Sequence, residues 1–169
     1  MKSGIRAIFA IGLGLVGSVV GMAQVNAGST AVFSAPTLIR LQLSTDIVDF
    51  GSLTEMDYDA GYKELLGGQG VTVWSNRAWV LTVAADAATW SGPWAKPSTD
   101  LLWKTRTTHP RVTSYNGTYL GLTTSPYQVA AGNAAGNIGL TMDFRVLVSW
   151  DNDVAGDYTL AFTYTLTAP

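Results

Sequence analysis

The carboxylates come closest to a chemical constellation. Asp151, Asp153 and Asp157 stand with Gly156 in one short polar break, and oxygen ligands gathered on a loop are what a hard cation such as calcium takes. Measured against a helical calcium loop, Ala155 replaces a ligand and Phe162 stands where the bidentate glutamate belongs. Turn chemistry alone also selects Asp, Asn and Gly at such a place. Glu55, Asp57, Asp59 and Asp143 could supply a carboxylate pair for glycoside hydrolysis, yet acids at alternate positions equally describe a solvated face. His109, before Pro110, is the single histidine and cysteine is absent, so a zinc site would need a carboxylate remainder. No Gly-x-Ser-x-Gly elbow marks a nucleophile. The sequence therefore predicts a protein that is not an enzyme and has no cofactor, with calcium at Asp151, Asp153 and Asp157 the one ion left open. Trp90, Trp94 and Trp103, in a Pro-containing stretch, could stack on pyranose rings. Large rings also cover the open end of a sheet sandwich.

The elements that must position these groups read as strands. Ile138, Leu140, Met142, Phe144, Val146, Val148 and Trp150 alternate with more polar residues, as do Tyr158, Leu160, Phe162, Tyr164 and Leu166. A period of two is a strand with one dry face, and two such strands around a Gly-containing break predict a long antiparallel hairpin. The first of them, residues 137–150, would span about 45 Å. It must bend between sheets or belong to an elongated molecule.

Ile39, Leu41 and Leu43 make an earlier strand and residues 47–51 a short one ended by glycine, while 53–70 gives little signal and Gly67, Gly68 and Gly70 suggest a loop. Val71 and Val73 with Trp79, Leu81 and Val83 predict a second hairpin. Asn116-Gly117 predicts a tight turn between strands at 111–115 and 118–122, which also explains the Asn116-Gly117-Thr118 glycosylation sequon without a glycan. The duplicated Ala-Ala-Gly-Asn at 130–137 reads as a flexible connector. Eight or nine short strands with no helix among them describe an all-β fold, an antiparallel β-sandwich of Ig-like or pilin-like kind.

At 169 residues the chain has room for one domain. Lys2 and Arg6, the apolar run at 7–20, and small residues before a break after Ala23 or Ala27 describe a secretory signal peptide over residues 1–27. Residues 28–36 are then a flexible leader and 37–169 the sandwich. Removing Lys2 and Arg6 takes the formal charge from -2 to -4, which argues against nucleic acid as a partner. With no second apolar run the mature chain is expected to be extracellular and without a membrane span, and with no cysteine it must be held without disulfides.

Trp79-Val80-Leu81-Thr82-Val83 resembles the first signature of the W-x-L domain, a bacterial cell-surface module, and Val48-Asp49-Phe50-Gly51 resembles the stretch that opens such domains. Gly156-Asp157-Tyr158-Thr159 with Thr163-Tyr164-Thr165-Leu166 is similar to the family's terminal pattern, Tyr164 standing in place of its second Trp. The resemblance implies non-covalent attachment to a cell-wall polymer or to other surface proteins, without enzymatic activity, and it carries over to Trp79, Leu81, Tyr164 and Leu166.

Three functions are therefore expected in turn. The first is a secreted, wall-associated structural module. The second is a fibre or pilus-like subunit that self-assembles by donating the strand of Ile39, Leu41 and Leu43. The third is a carbohydrate-binding module built on Trp90, Trp94 and Trp103.

Overall fold

The structure, a computed structural model, describes residues 29–169, so the expected signal peptide over residues 1–27 lies outside the described residues. Every element below belongs to the unit Ala35–Pro169, and residues 29–34 fall outside it without regular secondary structure. In chain order the elements are β1 (Ile39–Leu43), α1 (Glu55–Ala60), β2 (Tyr62–Ser75), β3 (Trp79–Ala85), β4 (Leu101–Arg106), β5 (Val112–Tyr115), β6 (Leu120–Gly121), β7 (Tyr127–Gly132), β8 (Ala135–Leu147) and β9 (Phe162–Thr167). They form two antiparallel sheets, a five-stranded one in the order β1-β2-β8-β4-β6 and a four-stranded one in the order β5-β7-β3-β9. The expected β-sandwich is the fold.

Its core is made by the inward residues of both sheets. Val71 and Val73 of β2, Leu101 and Trp103 of β4, and Ile138, Leu140, Met142 and Phe144 of β8 meet Trp79, Leu81 and Val83 of β3 and Val129 of β7, all buried. The alternation read along residues 138–146 is thus the inward face of β8. That strand lies at the centre of the larger sheet, paired with β2 from Tyr62↔Leu147 to Ser75↔Ala135 and with β4 from Leu101↔Val146 to Arg106↔Thr141. It stays within one sheet; the excess length of β2 beside it is taken up by bulges, the larger between Leu65 and Gln69. Regular strand ends at Leu147, yet the alternation runs on to the buried Val148 and fails only at Trp150, which is exposed.

None of the expected hairpins forms. β2 and β3, β5 and β6, and β8 and β9 each fall in opposite sheets. Alternation tells which face of a strand is dry, and that face is the same whether the next strand lies beside it or across the core. The turn residues bear this out: positive φ falls at Gly51, Gly61, Gly67 and Gly156 among the glycines, so Asn116-Gly117 does not make the tight hairpin turn. The Ala-Ala-Gly-Asn duplication is mostly strand, its first copy ending β7 and its second opening β8. Residues 47–51 are irregular, although Val48 and Phe50 still pack on the core.

A helix replaces the expected loop at residues 55–60, and Gly67 to Gly70 belong to β2. Helix α1 starts from a capping box: Thr54 N–H donates to Asp57 Oδ2 at 2.7 Å while Thr54 Oγ1 accepts from Asp57 N–H. These Thr54 donors hold the Asp57 carboxyl below its usual range, with Lys63 adding to the effect. The helix places Tyr58 against Trp150, with ring centroids 4.6 Å apart, and Asp59 accepts from Trp150 Nε1 at 3.1 Å.

Small residues at the end of β7 are required by close approach. A side chain at Gly132 would place Cβ 2.6 Å from Arg111 O and 2.7 Å from the Trp79 ring. Gly132→Ala is expected to lower stability by about 1–3 kcal/mol, the usual cost of overpacking, measured as a lower urea midpoint with unchanged slope. Ala131→Gly, one residue earlier and half-buried, serves as the control for strand propensity.

Candidate functional site

The outward parity of the five-stranded sheet carries an unusual set of side chains. Arg40 of β1 faces Trp74 of β2, Glu64 of β2 faces Arg145 of β8, and Lys104 of β4 faces Asp143 of β8. Cations lie over rings along this face: Arg40 is 4.5 Å from the Trp74 centroid, Arg145 4.1 Å from Tyr62 and 4.5 Å from Tyr119, and Lys104 4.3 Å from Tyr119. Such contacts are worth about 0.5–1 kcal/mol each when exposed. They also hold long side chains in place.

Arg145 Nη2 donates to Glu64 Oε1 at 3.0 Å, and the Tyr119 hydroxyl donates to the same oxygen. These two donors, Tyr119 first, pull the Glu64 carboxyl below its usual range. The Tyr119 phenol moves the other way, raised by burial and then by its bond to Glu64. With Arg106, the face holds Arg40, Lys104, Arg106 and Arg145 against Glu64 and Asp143, a cationic excess in a chain whose formal charge is -2.

Asp143 points outward by parity but is fully buried. The cause is the bulge of β2, which folds Gly67 over it. At φ +66° Gly67 adopts a backbone conformation that side chains disfavour, and its N–H donates to Asp143 Oδ1 at 2.7 Å. Arg106 makes a two-pronged contact, Nε to Oδ2 and Nη2 to Oδ1, each 2.8 Å, and Lys104 Nζ stands 3.7 Å away. Burial by itself would raise this carboxyl. The Arg106 and Gly67 hydrogen bonds and the two cations outweigh it and hold the group below the usual range.

A second constellation lies at the end of the sandwich where connections 44–61, 86–100 and 148–161 gather. Lys96 Nζ donates to Asp153 Oδ1 at 2.8 Å and Oδ2 at 3.1 Å, and it is 3.1 Å from Asp100 Oδ2. The Lys96 and Asp153 side chains are each 4 % exposed, and that of Asp100 is 24 % exposed. Ser149 N–H also donates to Asp153 Oδ2, at 2.8 Å. A cleft of about 770 Å³ opens beside the pair, lined by Phe50, Tyr58, Trp90, Val148 and Tyr158 among others. Removing one partner of such a buried pair costs about 3–5 kcal/mol, because the other charge is left uncompensated.

These placements reassign the residues expected to act. The Asp151, Asp153 and Asp157 set does not converge: Asp153 is committed to Lys96 and Ser149, Asp151 and Asp157 are exposed, and no metal-holding group of acids and histidines occurs among the described residues. Glu55, Asp57 and Asp59 are spent on or beside helix α1, so they form no carboxylate pair with Asp143. Trp103 is a core residue, 1 % exposed, and cannot present a face to sugar beside the half-buried Trp90 and Trp94.

Trp79 and Leu81 are core residues, and Trp79 Nε1 donates to Asn133 O at 3.1 Å. Tyr164 and Leu166 are half-buried against that core, with the Tyr164 hydroxyl donating to Gln69 Oε1 at 3.0 Å. Burial raises the Tyr164 phenol. Ile39, Leu41 and Leu43 pair with Ser75, Val73 and Val71 of the same chain, and β1 is an edge strand.

The residues not anticipated are Lys96, Asp100, Arg106 and the Arg145–Glu64 pair. Alternation of charge did carry a signal for some of them, since Lys104 and Arg106, like Asp143 and Arg145, stand two apart on one strand face. No family model matches this chain, and a comparison with curated proteins returns no match.

The lowered Asp143 and Glu64 groups bind protons more weakly folded than unfolded. They therefore add stability above the unfolded carboxylate values, and it is lost as pH falls through the folded values. The urea midpoint is expected to be level down to about pH 5 and to fall below about pH 4. Asp143→Asn should flatten part of that fall, and an acid limb of wild-type steepness in the variant would refute the assignment.

Proposed function

We propose that this chain is a secreted, non-enzymatic, wall-associated surface module whose contact surface is the outward face of the five-stranded sheet. The observation that carries the reading is two groups of cations held over rings on this face, Arg40 over Trp74 at one end of β2 and Arg145 and Lys104 over Tyr62 and Tyr119 toward the other. A sheet face with fixed cations suits an extended anionic wall polymer, whose charges meet those cations. The signal-like N-terminus favours export.

The likeness to the W-x-L module favours attachment of the same non-covalent kind. Trp79, Leu81, Tyr164 and Leu166 then serve by holding β3 and β9 together, where Leu81 pairs with Leu166 and Val83 with Tyr164. Contact with the wall falls to the outward face, which those residues do not reach.

Cosedimentation with purified cell wall tests this reading. The protein is expected to pellet with wall at low salt and to be released as ionic strength rises from about 0.1 M to about 1 M, where screening shortens from about 10 Å to about 3 Å. Replacing Arg40 and Trp74 together by Ala should weaken binding about tenfold, or about 1.4 kcal/mol, without lowering the unfolding free energy by more than about 1 kcal/mol. Wild-type protein left wholly in the supernatant at low salt overturns the reading.

A further inference from the structure

We infer that Lys96 and Asp153 are the precursors of an intramolecular amide cross-link, formed in the folded protein with Asp100 as the proton carrier. The amine already lies against the carboxylate, with Nζ 2.8 Å from Asp153 Oδ1 and 3.1 Å from Oδ2, which brackets the carbon it must reach. Both side chains are nearly removed from water. An ion pair that water would keep charged comes closer in energy to its neutral amine and carboxylic acid form when desolvated.

The surrounding groups are those that an acyl substitution needs. Ser149 N–H holds Oδ2 at 2.8 Å, so Oδ2 is the oxygen that carries the developing negative charge and is retained as the amide carbonyl. Oδ1 is the oxygen that leaves. Asp100 Oδ2, 3.1 Å from Nζ and partly open to solvent, can accept a proton from the nitrogen and return it to the departing oxygen.

The step balances without any other reactant. The Lys96 ammonium gives one proton to Oδ1, and the Nζ lone pair then forms a bond to Asp153 Cγ. Asp100 takes a second proton from Nζ and delivers it to Oδ1, the Cγ–Oδ1 bond breaks, and one water leaves an amide that keeps one N–H. Asp100 ends as it began. In dilute solution amide formation from an amine and an acid does not proceed usefully. Here both groups are fixed against each other, where effective molarities reach about 10⁵–10⁸ M, and the released water has the adjoining cleft to leave by.

The product would tie connection 86–100 to connection 148–161. Trypsin separates these segments: cleavage after Arg77, Lys104 and Arg145, with Lys96 protected by Pro97, yields residues 78–104 and residues 146–169. Mass spectrometry of the digested, denatured wild-type protein is expected to show these two peptides joined, at their summed mass less one water, with fragment ions placing the branch at Lys96 and Asp153. Lys96→Arg, which keeps the cation but offers no primary amine, should give only separate peptides. Asp100→Asn should slow the joining by about 10²-fold, the lower end of the usual range for a general acid–base group, read as the joined fraction against time after refolding. Wild-type peptides recovered separately at full mass overturn the inference. Because that reading uses the wild-type protein alone, it stands even if a variant fails to fold.

Discussion

Burial of the inward faces depends here on strands that alternate between sheets. From β3 onward each strand of the chain lies across the core from its predecessor, so neither sheet can be completed without the other. A hairpin can form locally and wait for a partner layer; a strand whose neighbours in sequence are across the core has no such intermediate. The pairs that build the larger sheet join residues far apart, as in Tyr62 with Leu147 and Leu43 with Val71. Long-range pairing of this kind requires loop closure before contacts can compensate, which places the fold among slow and cooperative ones.

That constraint explains where the charges are buried. Crossing strands leave one end of the sandwich to the long connections 44–61, 86–100 and 148–161, whose irregular backbone needs polar partners wherever it is covered. Lys96 and Asp153 meet there, and the backbone bonds Val148 N–H to Gly61 O and Trp90 N–H to Lys96 O run beside them. Asp143 answers a different need. The β2 bulge leaves Gly67 N–H without a ladder acceptor, and Asp143 accepts from it while Arg106 neutralises the carboxylate.

Much of the fold is legible in the sequence because a strand's dry face depends on parity alone. Ile138 to Val146, Val71 and Val73, and Trp79 to Val83 were all readable as inward rows for that reason. Which strand lies beside which was not readable, since an alternating row packs equally well next to its neighbour or opposite it. Helix α1 had a local signal in Thr54 and Asp57, the two ends of a capping box, but its six residues carry too little apolar periodicity to stand out. The candidate face was hidden for a related reason. Arg40 with Trp74 and Arg145 with Tyr119 come together only through the sheet order, which no spacing along the chain encodes.

The two buried-charge sites also differ in what they tolerate. Arg106 is largely exposed, so Asp143 keeps one partner that water can partly replace. Lys96 and Asp153 are both nearly covered, at the wall of the cleft that they help to line. Two nearly covered opposite charges are held only as long as their geometry is, because any separation leaves each one desolvated and unpaired. In a chain without cysteine, the cheapest lasting remedy for that exposure to strain is to remove both charges by joining them. The same join would fix β3–β4 against β8–β9, two crossings between sheets that the backbone bonds of Ser91 with Thr159 and of Asp86 with Ala161 already bring together.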